Sequence, residues 1–206
     1  MEAARQIDPA WNSAAGEDRG ASPLFSIDVE AAGDIAARER LLDRAMGPMR
    51  KRKSSEKIRR GRLPAEGLAL VARAEDGSLV GTVRLWHVTL GEGGARALLL
   101  GPLAVEPAMK SAGIGSRLMR EAIFRATTLG HDAILLVGDP EYYVRFGFTA
   151  EKTGDLAMPG PFEKRRLLAL ELKTGALDGA AGVIAGCGEL IPHGRAAHAR
   201  RNRAVA

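Results

Sequence analysis

Hydrophobic and polar residues alternate along LFSIDVE (24 to 30), with Phe25, Ile27 and Val29 on one side, the pattern of a half-buried strand. GDIAARERLLDRAMGP follows with helical spacing. Asp34 is placed to cap that helix, Ile35, Leu42 and Met46 fall on its apolar side, and Gly47-Pro48 ends it. GLALVARA and LVGTVRLWHVTL are two strand-like runs parted by EDGS, as in a β-hairpin with a short polar turn. After the GEGG turn (91 to 94), ARALLLGPLAV (95 to 105) predicts a central strand. Proline cannot donate to a ladder, so Gly101-Pro102 should mark a bulge or break in it.

The clearest helix is IGSRLMREAIFRATTLG, where Ile114, Leu118, Met119, Ala122, Ile123 and Ala126 follow one face and Gly130 closes the run. DAILLVGD (132 to 139) is short and almost wholly apolar, which predicts a strand buried on both faces. Strand, helix and strand across 97 to 138 therefore form a parallel βαβ unit. PEYYVRFGF predicts a short helical turn leading into another strand, and RRLLALELK (165 to 173) a final strand with Leu168, Leu170 and Leu172 alternating. The rest is rich in Gly and Ala, and there is no internal repeat. Residues 1 to 23 lack periodicity and are expected to be a flexible lead-in. The stretch from 192 has no acidic residue and is expected to be a disordered basic tail, which leaves one domain over 24 to 191.

With 206 residues, 46% of them hydrophobic, the chain is long enough to bury a sizeable core without a disulfide or metal staple. Cys187 is the single cysteine, so neither an intramolecular disulfide nor a cysteine-rich zinc cluster can form. No apolar stretch approaches the ~18 residues of a membrane span, and the first residues lack a signal-peptide core. A soluble, cytoplasmic protein without a membrane partner is the expectation. The formal net charge of +5 favours anionic partners without choosing among them.

Gly113 and Gly115 lie between the central strand and the clear helix. The first turn of a helix has N–H groups without intrahelical partners and carries partial positive charge, so such a junction suits an anion. Two familiar phosphate loops are excluded: there is no Gly-Lys pair for a P-loop, and Leu118 occupies the third glycine position of a dinucleotide fingerprint. The two glycines alone fit a tight turn as well as a phosphate cradle.

The wider run LLLGPLAVEPAMKSAGIGSRLMREAI resembles the acetyl-CoA motif of the GCN5-related N-acetyltransferase (GNAT) family. Val105 and Pro107 match its strand exit, and Lys110, Gly113 and Gly115 fall on the three key positions of [QR]-x-x-G-x-[GA], with Lys in place of the usual Gln or Arg. A second block, GDPEYYVRFGF (138 to 148), resembles the family's Y-x-x-x-G-F segment, with Tyr143, Gly147 and Phe148 in register. Upstream, Leu136 and Asp139 stand near where many members carry an Asn and an Ala. The likeness spans roughly 24 to 190 and is closest to a bacterial subgroup of predicted acetyltransferases.

That resemblance implies a mixed α/β (α+β) fold: a central, mostly antiparallel twisted sheet containing a parallel, splayed strand pair and flanked by helices. It implies acetyl-CoA as cosubstrate and no metal. The pyrophosphate would be held by Lys110, Ser111, Ala112, Gly113, Ile114, Gly115 and Ser116, and the pantetheine arm would pair with Leu103, Ala104 and Val105. Tyr143 becomes the candidate general acid toward the leaving sulfur, assisting rather than indispensable because a thiolate is already a fair leaving group. An N–H freed by the Gly101-Pro102 break is the candidate oxyanion donor. The general base is open, with His87, Glu106 and Glu141 as candidates by residue type alone.

The basic run MRKRKSSEKIRRGR (49 to 62) sets eight Lys or Arg against one Glu. It could grip an acidic substrate, the 3′-phosphate of CoA or nucleic acid, but its ordinary role is a solvated helix face. It lacks the aromatic residues that nucleic-acid readers stack on, so nucleic acid is disfavoured as a partner. Trp86 is expected in the core or a pocket wall. The resulting expectation is acetyl transfer from acetyl-CoA to a primary amine of a small molecule or peptide. The alternative is an acyl-CoA-binding regulator without chemistry. The acceptor is open and so is oligomeric state, a homodimer included.

Overall fold

The computed structural model describes residues 25–192; the expected lead-in over 1 to 23, and all but the first residue of the expected basic tail, lie outside the described residues. Eight strands make one mixed sheet. In chain order they are β1 (Phe25–Val29), β2 (Ala69–Ala74), β3 (Leu79–Leu90), β4 (Arg96–Val105), β5 (Ala133–Val137), β6 (Leu156–Ala157), β7 (Leu167–Glu171) and β8 (Gly182–Gly186). The helices are α1 (Ile35–Met46), α2 (Ser54–Arg59), α3 (Ile114–Thr128) and the single turn α4 (Pro140–Tyr143). The sheet order is β1-β2-β3-β4-β5-β7, antiparallel throughout except between β4 and β5. β8 pairs with the end of β3, and β6 lies parallel to β8. The expected fold class is the one observed.

Period-two alternation in the central strands builds two cores. On β4, Leu98 and Leu100 face one side of the sheet while Ala97 and Leu99 face the other. On β5, Ile134 and Leu136 alternate in the same way with Ala133 and Leu135, and all four are buried. Burial on both faces explains why that strand has no polar residue in its middle. α3 covers the first face with Ile114, Leu118, Met119, Ala122 and Ala126. The second face receives Ile58 of α2, and Leu41 of α1 packs with Val71 and Leu79.

Three details differ from the sequence reading. Ile35 is half exposed, and the buried residues of α1 are Arg38, Leu41 and Leu42. Arg38 reaches the carboxylates of Glu30 and Glu39, so an ion-paired arginine takes the place the pattern gave to an isoleucine. Asp34 caps by a different route: its carboxylate accepts from the Ala31 N–H at 2.8 Å and from Arg73 at 2.7 Å. And β7 is not the final strand. The Gly- and Ala-rich stretch after it contributes β8, whose Ile184 pairs with Leu90 at the end of β3 and is buried in the second core.

The approach of α3 to the sheet depends on Gly81 of β3. A Cβ there would come within 2.8 Å of Ile114 Cγ2, 2.9 Å of Leu118 Cδ1 and 3.1 Å of Ala72 Cβ. Those neighbours are themselves fully buried, so they have little room to yield. Gly81→Ala should destabilise the fold by ~1–3 kcal/mol, seen as a lower urea midpoint with an unchanged slope. An unaltered midpoint would show that α3 is not held at this contact.

Candidate active site

β4 and β5 run side by side only briefly. They pair at Leu98–Ile134 and Leu99–Leu135, whereas β5 pairs with β7 along its whole length. Beyond Leu99 the two strands part. The cause lies in β4, where Leu85 of β3 faces Leu100 and Val83 faces Leu103, so Gly101 and Pro102 together oppose the single residue Arg84. This is the bulge that the Gly-Pro pair predicts. Trp86 fixes it by donating its indole N–H to the Gly101 carbonyl at 2.6 Å. Of the two bulge residues only Gly101 has an N–H to offer. The β5-facing edge of residues 100 to 105 has no strand beside it among the described residues.

A cavity of about 100 Å³ fills the fork. One wall is Leu100 to Leu103 with Leu136 and Val137; Tyr143 closes it from the β5 side, and Arg50, Glu56 and Arg59 close it from the second face. The basic run 49 to 62 therefore departs from a solvated helix face. Arg50 and Arg59 are 8% and 9% exposed, and both reach the cavity. Sequence reasoning missed Glu56, although it is the one acidic residue in that run. An isolated acid among eight cations was the available signal.

Tyr143 sits at the C-terminal end of α4, with its ring pressed onto Gly138, where a Cβ would come within 2.7 Å of Cδ2 and collide outright with Cε2. Phe148 meets the ring edge-on at 6.2 Å. Burial foremost, with Tyr142 and Asp139 adding to it, pushes the Tyr143 hydroxyl up to about 12. The phenol thus stays protonated across the physiological range. The three candidate bases are elsewhere. His87 packs 5.4 Å from the His131 ring, Glu106 is paired with Arg44 at 2.6 Å, and Glu141 is exposed near Arg165 at 3.7 Å. None of the three lines the cavity.

The glycine junction lies at the far end of the β4 edge. Ala104 and Val105 are held to β3 opposite Thr82 and Gly81, and Leu103 opens into the cavity. Past them, Lys110 and Ala112 spend their N–H groups on Pro107 and Met109. Ser111 adopts a φ of 78°, uncommon for a residue with a Cβ, and Gly113 caps α3 at a φ of 77°. The first hydrogen bond into α3 runs from Arg117 N–H to Gly113 O, so the N–H groups of Ile114, Gly115 and Ser116 precede the helix's own ladder. Ile114 keeps its side chain in the core. A Cβ on Gly115 would lie 3.4 Å from the Tyr142 hydroxyl and 3.5 Å from Val105 Cγ2. Two sequence blocks some thirty residues apart thus converge on one edge of the sheet, Tyr142 on the loop and Tyr143 in the fork.

Residues 35–148 match the sequence model of the Acetyltransferase (GNAT) family. The protein belongs to that family. Among curated relatives, the uncharacterized N-acetyltransferase YhbS of Escherichia coli is 28% identical over 117 residues, covering 57% of this chain and 70% of its own. A second E. coli protein, the uncharacterized N-acetyltransferase YjhQ, is 35% identical over 97 residues, 46% of this chain and 52% of its own. Among solved structures, E. coli YhbS in complex with CoA superposes with a TM-score of 0.70 at 26% identity, covering 83% of this chain and 94% of that one. A Brucella melitensis GNAT acetyltransferase in complex with acetyl-CoA gives 0.50 at 25% identity, covering 76% and 100%.

The Tyr143 environment has a testable consequence. Its folded pKa is about 12 against 10.0 for an unperturbed tyrosine. Between those values the folded state keeps a proton that the unfolded chain has lost, so stability falls as pH rises through this window. Ultraviolet titration should show a tyrosinate step near pH 12 that Tyr143→Phe abolishes. A step near pH 10 that vanishes with the same substitution would mean the ring is solvated.

Proposed function

We propose that this N-acetyltransferase carries an acetyl group from acetyl-CoA to a primary amine of a small molecule or peptide, with the chemistry in the β4–β5 fork. The observation that carries the reading is the meeting, along a strand edge with no neighbour among the described residues, of a helix N-terminus built around Gly113 and the half-buried Tyr143. The N–H groups of Ile114, Gly115 and Ser116, with the Lys110 ammonium and the Ser111 to Gly113 turn, would hold the pyrophosphate of the donor. Leu103, Ala104 and Val105 would pair with its pantetheine arm as a missing strand would. The bound CoA and acetyl-CoA of the YhbS and Brucella proteins support this assignment.

The amine nitrogen attacks the thioester carbonyl carbon, the carbon–sulfur bond breaks, and the thiolate leaves with the electron pair. The Gly101 N–H in the bulge is the donor we assign to the developing oxyanion. Complete proton transfer from a phenol of pKa about 12 to a thiolate of pKa ~8.5 is uphill by ~5 kcal/mol. Tyr143 therefore acts chiefly as a hydrogen-bond donor to sulfur, an interaction that strengthens as charge develops there. Glu56, the carboxylate on the cavity wall, receives the proton the amine loses, directly or through water. The guanidinium groups of Arg50 and Arg59 favour the neutral, nucleophilic form of the amine.

Tyr143→Phe should lower kcat by ~10–10²-fold, the worth of a hydrogen bond to a charged group, with acetyl-CoA affinity little changed. An unaltered kcat would remove Tyr143 from the chemistry. Gly113→Ala makes the left-handed φ cost ~1–2 kcal/mol; the unliganded turn relaxes to escape it and acetyl-CoA must restore it, so calorimetric titration should show affinity falling by ~5–30-fold. A thermal-shift titration tests the reading as a whole. Acetyl-CoA at 100 times its Kd should add ~2.7 kcal/mol to stability; no shift would sink it, and a shift without transfer to any amine would favour a regulator that only binds acyl-CoA.

A further inference from the structure

Three guanidinium groups crowd the second face of the fork, and they are not equally satisfied. Arg84 is held by Glu30 through two hydrogen bonds, from Nε to Oε2 at 2.7 Å and from Nη2 to Oε1 at 2.5 Å. Arg50 bridges Glu39 at 2.5 Å and Asp43 at 2.8 Å. Arg59 differs. It has one carboxylate, Glu56, at 3.1 Å from Nη2, with a long contact from the same nitrogen to Ser55 Oγ at 3.5 Å. Its Nε is buried and has no hydrogen-bond partner among the described residues. The residue is 9% exposed, lines the cavity, and its Nη1 lies 3.6 Å from the position a Cβ on Gly101 would take.

A buried cation with donors to spare is costly unless a ligand completes it. Burial already lowers the pKa of Arg59, with Arg50 and Arg84 acting in the same direction and Glu56 opposing them. The planar guanidinium fork matches a carboxylate, which can accept from two of its nitrogens at once. The small cavity suits a compact partner. Arg59 and Tyr143 border the same space, so a carboxylate on Arg59 lies close to the reacting centre rather than at a remote surface.

We propose that Arg59 is the recognition residue of an acceptor subsite that selects a small amine carrying a carboxylate near its nitrogen, an amino-acid-like acceptor. This rests on the acetyl-transfer reading above and narrows its acceptor to a chemical class. The guanidinium receives the carboxylate and Glu56 stays beside it toward the amine, so the two ends of the acceptor meet opposite charges. A bare alkylamine would bring no acceptor to the Arg59 guanidinium, whose one carboxylate is Glu56, and the site would discriminate against it.

The test is equilibrium binding in the presence of CoA, which does not require turnover. Calorimetry would compare a set of N-acetyl amino acids, the products expected from amino-acid acceptors, with their matched carboxamides. For at least one side chain the carboxylate should bind ~10-fold or more tightly than its amide, the worth of a hydrogen bond to a charged group. Arg59→Met, which keeps the apolar stem, should reduce that ratio to under ~3-fold, and Arg59→Lys should restore part of it. The wild-type ratio stands even if a variant fails to fold. Equal binding of acid and amide across the set, or a preference that survives Arg59→Met, overturns the proposal. So does a preference for a dicarboxylic acyl-CoA over acetyl-CoA that Arg59→Met abolishes, because the guanidinium would then serve the donor. Failure of the acetyl-transfer reading would look different: no stabilisation by acetyl-CoA.

Discussion

The parting of two parallel strands governs this protein. β4 and β5 share only the Leu98–Ile134 and Leu99–Leu135 pairs before the Gly101-Pro102 bulge turns β4 away. A sheet interior with an unpaired edge is normally a liability, because every free N–H and C=O there seeks a partner. Here the edge forms one wall of a cavity, and the same edge runs on to the N-terminus of α3. The indole N–H of Trp86 on the Gly101 carbonyl keeps the bulge from relaxing toward a regular ladder. Of the two places the sequence allowed Trp86, core or pocket wall, it takes the first: the ring is buried and holds the bulge from behind without lining the cavity.

Packing on the two faces then decides what meets in the fork. On one side, Gly81 lets Ile114 and Leu118 of α3 press onto the sheet, which fixes the Gly113–Gly115 turn relative to Val105. On the other side, Ile58 anchors α2 in the core, and Arg50 ties the preceding turn to α1 through Glu39 and Asp43. Glu39 shows how firmly those charges are matched. Partial burial pushes its pKa up, yet hydrogen bonds from Arg38 and Arg50 outweigh that and hold it near about 2. With Arg50 and Arg84 so occupied, Arg59 remains as the buried guanidinium with capacity toward the cavity.

Periodicity made most of the fold legible. The alternation in LFSIDVE, the hairpin around EDGS, the doubly buried AILLV strand and the helical face from Ile114 to Ala126 each follow from side-chain direction along a regular backbone. The exceptions are physical rather than accidental. β8 was hidden because glycine and alanine leave no hydrophobic alternation to read, and its place comes from pairing with β3 and β6. In α1 a buried arginine neutralised by glutamates is invisible to a pattern that sorts residues by polarity.

The sequence alone determined the positions of the bulge, of the glycine turn and of the tyrosine, because backbone chemistry is local: proline lacks an N–H, and glycine tolerates a φ near 77°. Only the tertiary structure decided which charges matter. His87, Glu106 and Glu141 were reasonable bases by type, yet each is engaged or exposed away from the fork. Half-buried Glu56 and buried Arg59, inside a run that looked like a solvated face, line it instead. The reason is that a charge acquires its role from burial and from the partners left to it, and both are set by elements that sequence distance does not measure.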